Sequence, residues 1–185
     1  MKDYFVLLVL IISLFAACSS EMNGDENNRK EDVVSLSFSL LDINGTPCNE
    51  FAYGDPIIFD LEIDNKKNKP IILFHSDKDA VDLQLGSDLF KVYSEEDKRE
   101  MGTPWSGMFC EYSLAPISLP ASTQSHLYCS WFGVNEDNKY RCSYPLCKDA
   151  DNVPLPKGSY FVRFSIECSQ NAPRTSSFSI PFKVK

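Results

Sequence analysis

The chain predicts an all-β protein, an antiparallel β-sandwich of about eight or nine strands. Three observations carry this. Apolar and polar residues alternate with a period of two, most clearly in Val34-Ser35-Leu36-Ser37-Phe38-Ser39-Leu40, as in a strand with one buried face. Short runs of this kind are separated by Gly, Pro and Asn turns. No long amphipathic helical period interrupts them. An open barrel is the structural alternative.

Each element has its own justification. In the first strand Val34, Leu36, Phe38 and Leu40 share one face. Asn44-Gly45 makes a tight turn, because both residues tolerate positive φ. Gly54-Asp55-Pro56 opens a second strand, Ile57–Ile63, with Ile57, Phe59, Leu61 and Ile63 inward. Pro70 can start the short strand Ile71–Phe74 because no ladder bond is lost at a first residue. Val81–Leu85 and Leu89–Tyr93 read as a strand pair around Gly86-Ser87, and Glu95–Glu100 as a charged turn or one helical turn. Met108–Leu114 is a further strand. Ile117–Pro120 leads into Gln124–Phe132, where Ser125, Leu127, Cys129 and Trp131 share a face. Gly133–Val153 is polar and cysteine-bearing, an insertion loop. Pro156-Lys157-Gly158 turns into the strand Tyr160–Cys168, Ser169–Arg174 turns again, and Ser177–Lys185 is the last strand.

The N-terminus reads as a processing signal. Met1-Lys2-Asp3, the apolar run Tyr4–Phe15 and Ala16-Ala17 before Cys18 give a short n-region, an h-region and small residues at a cleavage point. The run falls short of the roughly 20 residues that span a bilayer. It resembles a bacterial lipoprotein signal, with Phe15 where such signals usually carry Leu. The resemblance implies cleavage after Ala17 and a lipid bilayer partner reached through acylated Cys18. Ser19 after the cysteine implies the outer membrane. The scattered acids of Ser20–Glu26 resemble in part the acidic surface-export signal of Bacteroidota lipoproteins. The expected division is residues 1–17 signal peptide, 18–31 lipidated Cys and flexible tether, and 32–185 folded domain.

The chain has 185 residues and a net charge of −8, with 43% hydrophobic and 12% aromatic residues. That is core enough for one domain of ordinary size. Removing the signal leaves the charge unchanged, since Lys2 and Asp3 cancel. An acidic chain whose basic residues sit in two small groups (Lys66, Lys67 and Lys69; Lys98 and Arg99) with acids nearby argues against nucleic acid as a partner. Of seven cysteines, six remain once Cys18 is set aside: Cys48, Cys110, Cys129, Cys142, Cys147 and Cys168. An even number in an exported chain points to disulfides, with sequence unable to choose the pairing. Cys142 and Cys147 could close a short loop across Pro145. Zinc is the competing reading, without a C-x-x-C and with His75 and His126 isolated.

Residues Gly54–Tyr160 resemble the bacterial intracellular proteinase inhibitor domain. The motifs are Gly54-Asp55-Pro56, Val81-Asp82-Leu83, Trp105-Ser106-Gly107-Met108-Phe109, Leu119-Pro120 running to Trp131, and Pro156–Tyr160 as Pro-x-Gly-x-Tyr. Ala121 replaces the family's usual Gly, and Gly133–Val153 is extra. The resemblance implies an Ig-like sandwich, and proteinase inhibition as an alternative function.

Loops carry the candidate sites. Thr103, Pro104, Trp105, Ser106 and Phe109 form a candidate binding loop within Met101–Phe109, because a loop aromatic can stack on a sugar or anchor a protein. The alternative is that Trp105 plugs one end of the sandwich. Gly133–Val153 is the second candidate loop. Asp77, Asp79 and Asp82 could hold calcium but lack the Gly turn and terminal Glu of a calcium loop; Glu136, Asp137, Asp149 and Asp151 carry the same ambiguity. No nucleophile elbow, phosphate loop or dinucleotide motif occurs, so the expectation is a nonenzymatic binding module without cofactor. Its partner would be a protein or a glycan, and a carboxylate-dependent hydrolase is the remote alternative.

Overall fold

A computed structural model of the chain describes residues 34–73, 84–106, 117–142, 146, 148–170 and 172–185. The expected signal peptide, Cys18, the tether, His75, Asp77, Asp79, Asp82, Phe109, Cys110 and Cys147 lie outside the described residues, as does the whole expected strand Met108–Leu114. For Cys168 only the backbone is described.

The described residues are all β, with no helix among them. The strands are β1 (Val34–Leu41), β2 (Glu50–Phe51), β3 (Ile58–Asn65), β4 (Ile71–Leu73), β5 (Gln84–Leu85), β6 (Lys91–Ser94) and β7 (Glu100–Gly102). They continue with β8 (Trp105–Ser106), β9 (Ile117–Leu119), β10 (Thr123–Ser130), β11 (Lys148–Asp149), β12 (Gly158–Gln170) and β13 (Ala172–Val184). This exceeds the expected count because seven strands have only two or three residues, too short for a periodicity to register.

One sheet has the order β1-β3-β10, antiparallel throughout. A larger sheet runs β2-β13-β12-β6-β7, with β5 also on β12. Two short pairs, β4-β9 and β8-β11, complete the ladder. Alternation decides which faces meet. Phe59, Leu61 and Ile63 of β3 are fully buried, as are Val162 and Ile166 of β12, and all belong to one core cluster with Phe38, Phe90 and Phe164. Phe38 joins the two larger sheets. Its ring stands edge-on to Phe164 at 4.8 Å and to Phe178 at 6.0 Å, and stacks on Phe90 at 5.4 Å. Burial of such faces supplies most of the folding drive.

Asn65 closes the open end of this core. It is fully buried, and its Nδ2 donates to Lys69 O at 3.1 Å and Pro120 O at 2.8 Å while its Oδ1 accepts from Lys67 N at 3.2 Å. A buried amide so satisfied fixes the β3–β4 connection to the start of β10.

Three expectations are corrected. β5 and β6 do not pair around Gly86-Ser87; both pair with β12, Leu85 opposite Ile166 and Lys91 opposite Arg163. The chain between them dives inward, with Leu89 and Phe90 fully buried and Phe90 at φ 62°. The driving force is burial of two large apolar side chains, which a two-residue hairpin would leave in water. Ser169–Arg174 is not a separate turn, since β12 and β13 keep register to Gln170 opposite Ala172. Gly133–Val153 is not a free insertion: Tyr140, Cys142 and Leu146 are buried.

Candidate functional site

The connections at one end of the β1-β3-β10 sheet converge. After β1, Asp42–Thr46 forms a turn in which Asp42 Oδ1 accepts from Thr46 N at 2.8 Å and Asn44 N at 2.9 Å. These backbone donors, Thr46 first, hold the Asp42 carboxyl below its ordinary range. Gly45 adopts φ +84°, and the Tyr140 hydroxyl packs directly against it, so both backbone and space require glycine. Before β3, Tyr53 N donates to Lys185 O at 2.9 Å. After β10, Trp131 N donates to Ile57 O at 2.9 Å and Trp131 Nε1 to Val153 O at 3.0 Å. A Cβ at Gly133 would stand 3.5 Å from Pro56 Cγ.

These four converging segments carry the large apolar side chains exposed among the described residues: Ile43 at 42%, Tyr53 at 57%, Phe132 at 36% and Val153 at 75%. Single exposed apolar residues are ordinary. These four lie on connections at the same end of the β1-β3-β10 sheet.

The two loops singled out in the sequence meet beside this end. β8 pairs with β11, Trp105 opposite Asp149 and Ser106 opposite Lys148. Ala150 N donates to Pro104 O at 2.9 Å and Asn152 Nδ2 to Thr103 O at 2.8 Å. A Cys129–Cys142 disulfide ties the same loop to β10. Asp149 fixes it further, accepting from Cys142 N at 2.9 Å and Arg141 Nε at 2.8 Å. The two sulfurs and the Asp149 carboxylate lie within 4.8 Å of one another, close enough for a metal. Joined as a disulfide, the sulfurs are not the thiolates a metal takes, so the structural reading prevails.

This arrangement changes several sequence expectations. Cys142 pairs with Cys129, not Cys147, because β10 carries Cys129 under the folded-back loop. Cys48 is free, and burial, with Asp42 adding, pushes its thiol up. Trp105 is 6% exposed and its Nε1 donates to Leu89 O at 2.7 Å, so its ring belongs to the core rather than to a contact surface. Thr103 Oγ1 donates to Trp105 O at 2.7 Å, and Pro104 is buried. Glu136, Asp137 and Asp151 are exposed.

The outer face of the β1-β3-β10 sheet holds a constellation that the sequence reading missed. His126 Nδ1 lies 2.8 Å from Asp60 Oδ1, and the His126 ring stacks on Tyr128 at 5.3 Å. Tyr128 meets Tyr140 edge-on at 5.0 Å, and Lys139 Nζ sits 4.6 Å above the Tyr140 ring. Burial pushes the Asp60 carboxyl above its ordinary range, against the opposing pull of His126. Tyr140, with Leu41 and Ile58, forms a small apolar cluster of its own. The signal was available in part: period-two alternation places Asp60, His126 and Tyr128 outward. Their contact depends on the β3–β10 register, which sets Tyr128 opposite Asp60 and His126 opposite Glu62.

A groove of about 510 Å³ lies between the β6–β7 turn and the start of β12, lined in part by Glu95, Arg99, Lys157 and Tyr160. Its mixed charge selects no ligand. No protein-family model matches the chain, and no curated protein is similar enough to count as a relative.

Proposed function

We propose that the chain is an outer-membrane lipoprotein whose Ig-like β-sandwich is a noncatalytic binding module, held to the bilayer through acylated Cys18. The observation that carries the binding role is the loop end, where Ile43, Tyr53, Phe132 and Val153 are exposed and Trp131 ties the end of β10 to the start of β3 through Ile57 O and to Val153 through its indole. Fixed loops present a surface without an ordering cost on binding. The anchored, exported part of the reading rests on the N-terminal sequence. The sandwich part is supported by two sheets contributing to one core.

Proteinase inhibition fits less well. An inhibitory segment must enter a protease cleft, whereas Pro104 and Trp105 are buried and Thr103 is tied to the Trp105 carbonyl.

Two measurements test the proposal. Metabolic labelling with a palmitate analogue should mark the wild-type chain and not Cys18→Ser, which should leave the membrane fraction. Proteinase digestion of intact cells, against a periplasmic control, should then locate the domain. Cleavage with the control intact means surface display; protection until the outer membrane is opened means a periplasm-facing module. A chain that takes no label and fractionates as soluble would refute the anchored reading.

A further inference from the structure

We infer that β13 pairs edge to edge with β13 of a second copy of this chain, antiparallel about a two-fold axis at Ser177, so that one sheet runs through two molecules. The inference stands apart from the binding-module reading and does not depend on it.

The direction of the β13 backbone groups comes first. Lys183 N donates to Asn49 O at 2.8 Å and Lys185 N to Phe51 O at 2.9 Å, so these odd-numbered residues turn their N–H toward β2. Backbone groups of alternate residues point to opposite edges of a strand. β12 and β13 hold an unbroken register from Gln170 opposite Ala172 to Gly158 opposite Val184, and no bulge resets the alternation. Thr175, Ser177 and Ser179 therefore send their N–H and C=O away from β12. β2 covers this edge only at Lys183 and Val184, and among the described residues no other strand pairs along it. Pro173 and Pro181 fall on the same parity, where a missing N–H breaks no bond to β12. Side-chain burial agrees with an open edge. Phe178 and Ile180 pack against the core yet are only half-buried, and Thr175, Ser177 and Ser179 are exposed.

An uncovered edge of this kind takes another strand. Symmetry selects a second copy. The free edge runs from Ala172 to Phe182 and is centred on Ser177, and Pro173 and Pro181 lie equally far from that centre. Antiparallel pairing with Ser177 opposite itself sets Thr175 opposite Ser179 of the second copy and proline opposite proline. It ends at Phe182, before β2 begins. Each N–H between the prolines that faces the edge then meets a carbonyl of the other copy. Composition agrees. Thr175–Ile180 has no charged residue, so no like charges meet, and the charges that commonly guard an edge are missing. Hydroxyl side chains meet hydroxyl side chains on the outer face, a favourable cross-strand pairing. On the inner face Phe178 falls opposite Ser176 of the second copy, large against small. An interface in which the same edge serves both copies closes as a dimer and does not grow into a fibre.

The test is sedimentation of the full chain in detergent, wild type against three variants. The wild type should sediment as a dimer. Ser177→Pro removes the central N–H without touching the ladder to β12, and Ser177→Lys sets like charges opposite each other. Both should melt near the wild type and weaken the dimer about tenfold or more, since backbone bonds are lost mid-ladder. Ser177→Ala loses only the hydroxyl, which lies 3.0 Å from Ser165 Oγ, and should stay dimeric. All four carry the same N-terminus, so two chains sharing a micelle would behave alike in every variant. Register is read by mild oxidation. A hydrogen-bonded pair has its Cα atoms about 5.5 Å apart, within disulfide reach. Ser177→Cys should therefore cross-link to itself above the wild-type background. Thr175→Cys and Ser179→Cys should each fail alone and cross-link when mixed. A wild type that stays monomeric up to its solubility limit would overturn the inference. So would a dimer indifferent to both Ser177→Pro and Ser177→Lys, a Ser177→Ala as weakened as Ser177→Pro, or equal cross-linking at all three single sites. In cells, a Ser177→Cys chain that cross-links only to a different protein would overturn the second copy and give the edge to that protein's strand.

Discussion

Replacing Phe38 by Ala tests how the two larger sheets are joined. Phe38 projects from β1 into the shared core, edge-on to Phe164 and Phe178 of the opposite sheet and stacked on Phe90. Truncation removes the transfer energy of the ring and leaves a cavity between layers that cannot fully collapse, a loss of about 3–5 kcal/mol. Edge-to-face pairs of this kind contribute about 0.5–1.5 kcal/mol each within that total. The loss is a large share of the roughly 5–15 kcal/mol that holds a domain of this size. Urea unfolding followed by fluorescence suits the measurement, because Trp105 and Trp131 are both buried. With a slope of about 2 kcal/mol per molar, the midpoint should fall by roughly 2 M at unchanged slope. Ser39→Ala, the next residue along β1 on the other face, should change stability by less than about 0.5 kcal/mol. A loss below about 1 kcal/mol for Phe38→Ala would refute the packing of β1 across β12 and β13.

Other perturbations probe the loop end and the sheet face. Cys129→Ser/Cys142→Ser opens a loop of sequence separation 13, and should cost about 3 kcal/mol on the chain-entropy account, read as a lower unfolding midpoint than the oxidised wild type. Gly45→Ala forces a side chain into a φ of +84° and into the Tyr140 hydroxyl; it should cost about 1–3 kcal/mol, with Tyr140→Phe restoring part of it in thermal melts. Asp60 should titrate above its ordinary 3.8 in a carbon-detected carboxyl titration, because burial raises it, and His126→Ala should raise it further by removing the opposing hydrogen bond. A raised carboxyl binds its proton more tightly folded than unfolded. Its contribution to stability is therefore greatest below 3.8 and declines as pH rises through the folded value. Asp60→Asn should flatten that decline, and an Asp60 titrating at or below 3.8 would contradict its burial.

Much of the fold was legible along the chain. The Ser-alternating run became β1, and the inward set Ile57, Phe59, Leu61 and Ile63 is buried to within a few per cent. The turn at Asn44-Gly45 forms where the residue types demand it. These features are local, and each follows from steric preference or from the two-residue period of a strand. The failures share a cause as well. Leu89 and Phe90 broke a plausible hairpin because distant β12 offered burial that the local turn could not.

The sequence by itself determined the all-β class, the inward faces of the long strands and the acidic surface. Tertiary structure alone decided that Cys129 meets Cys142, that Asp60 meets His126 and that Trp105 turns inward. It alone gathered Ile43, Tyr53, Phe132 and Val153 at one end. The physical reason is range. Alternation and turn chemistry act between neighbours in the chain, whereas register between strands and the convergence of loops are set by how whole faces bury against each other.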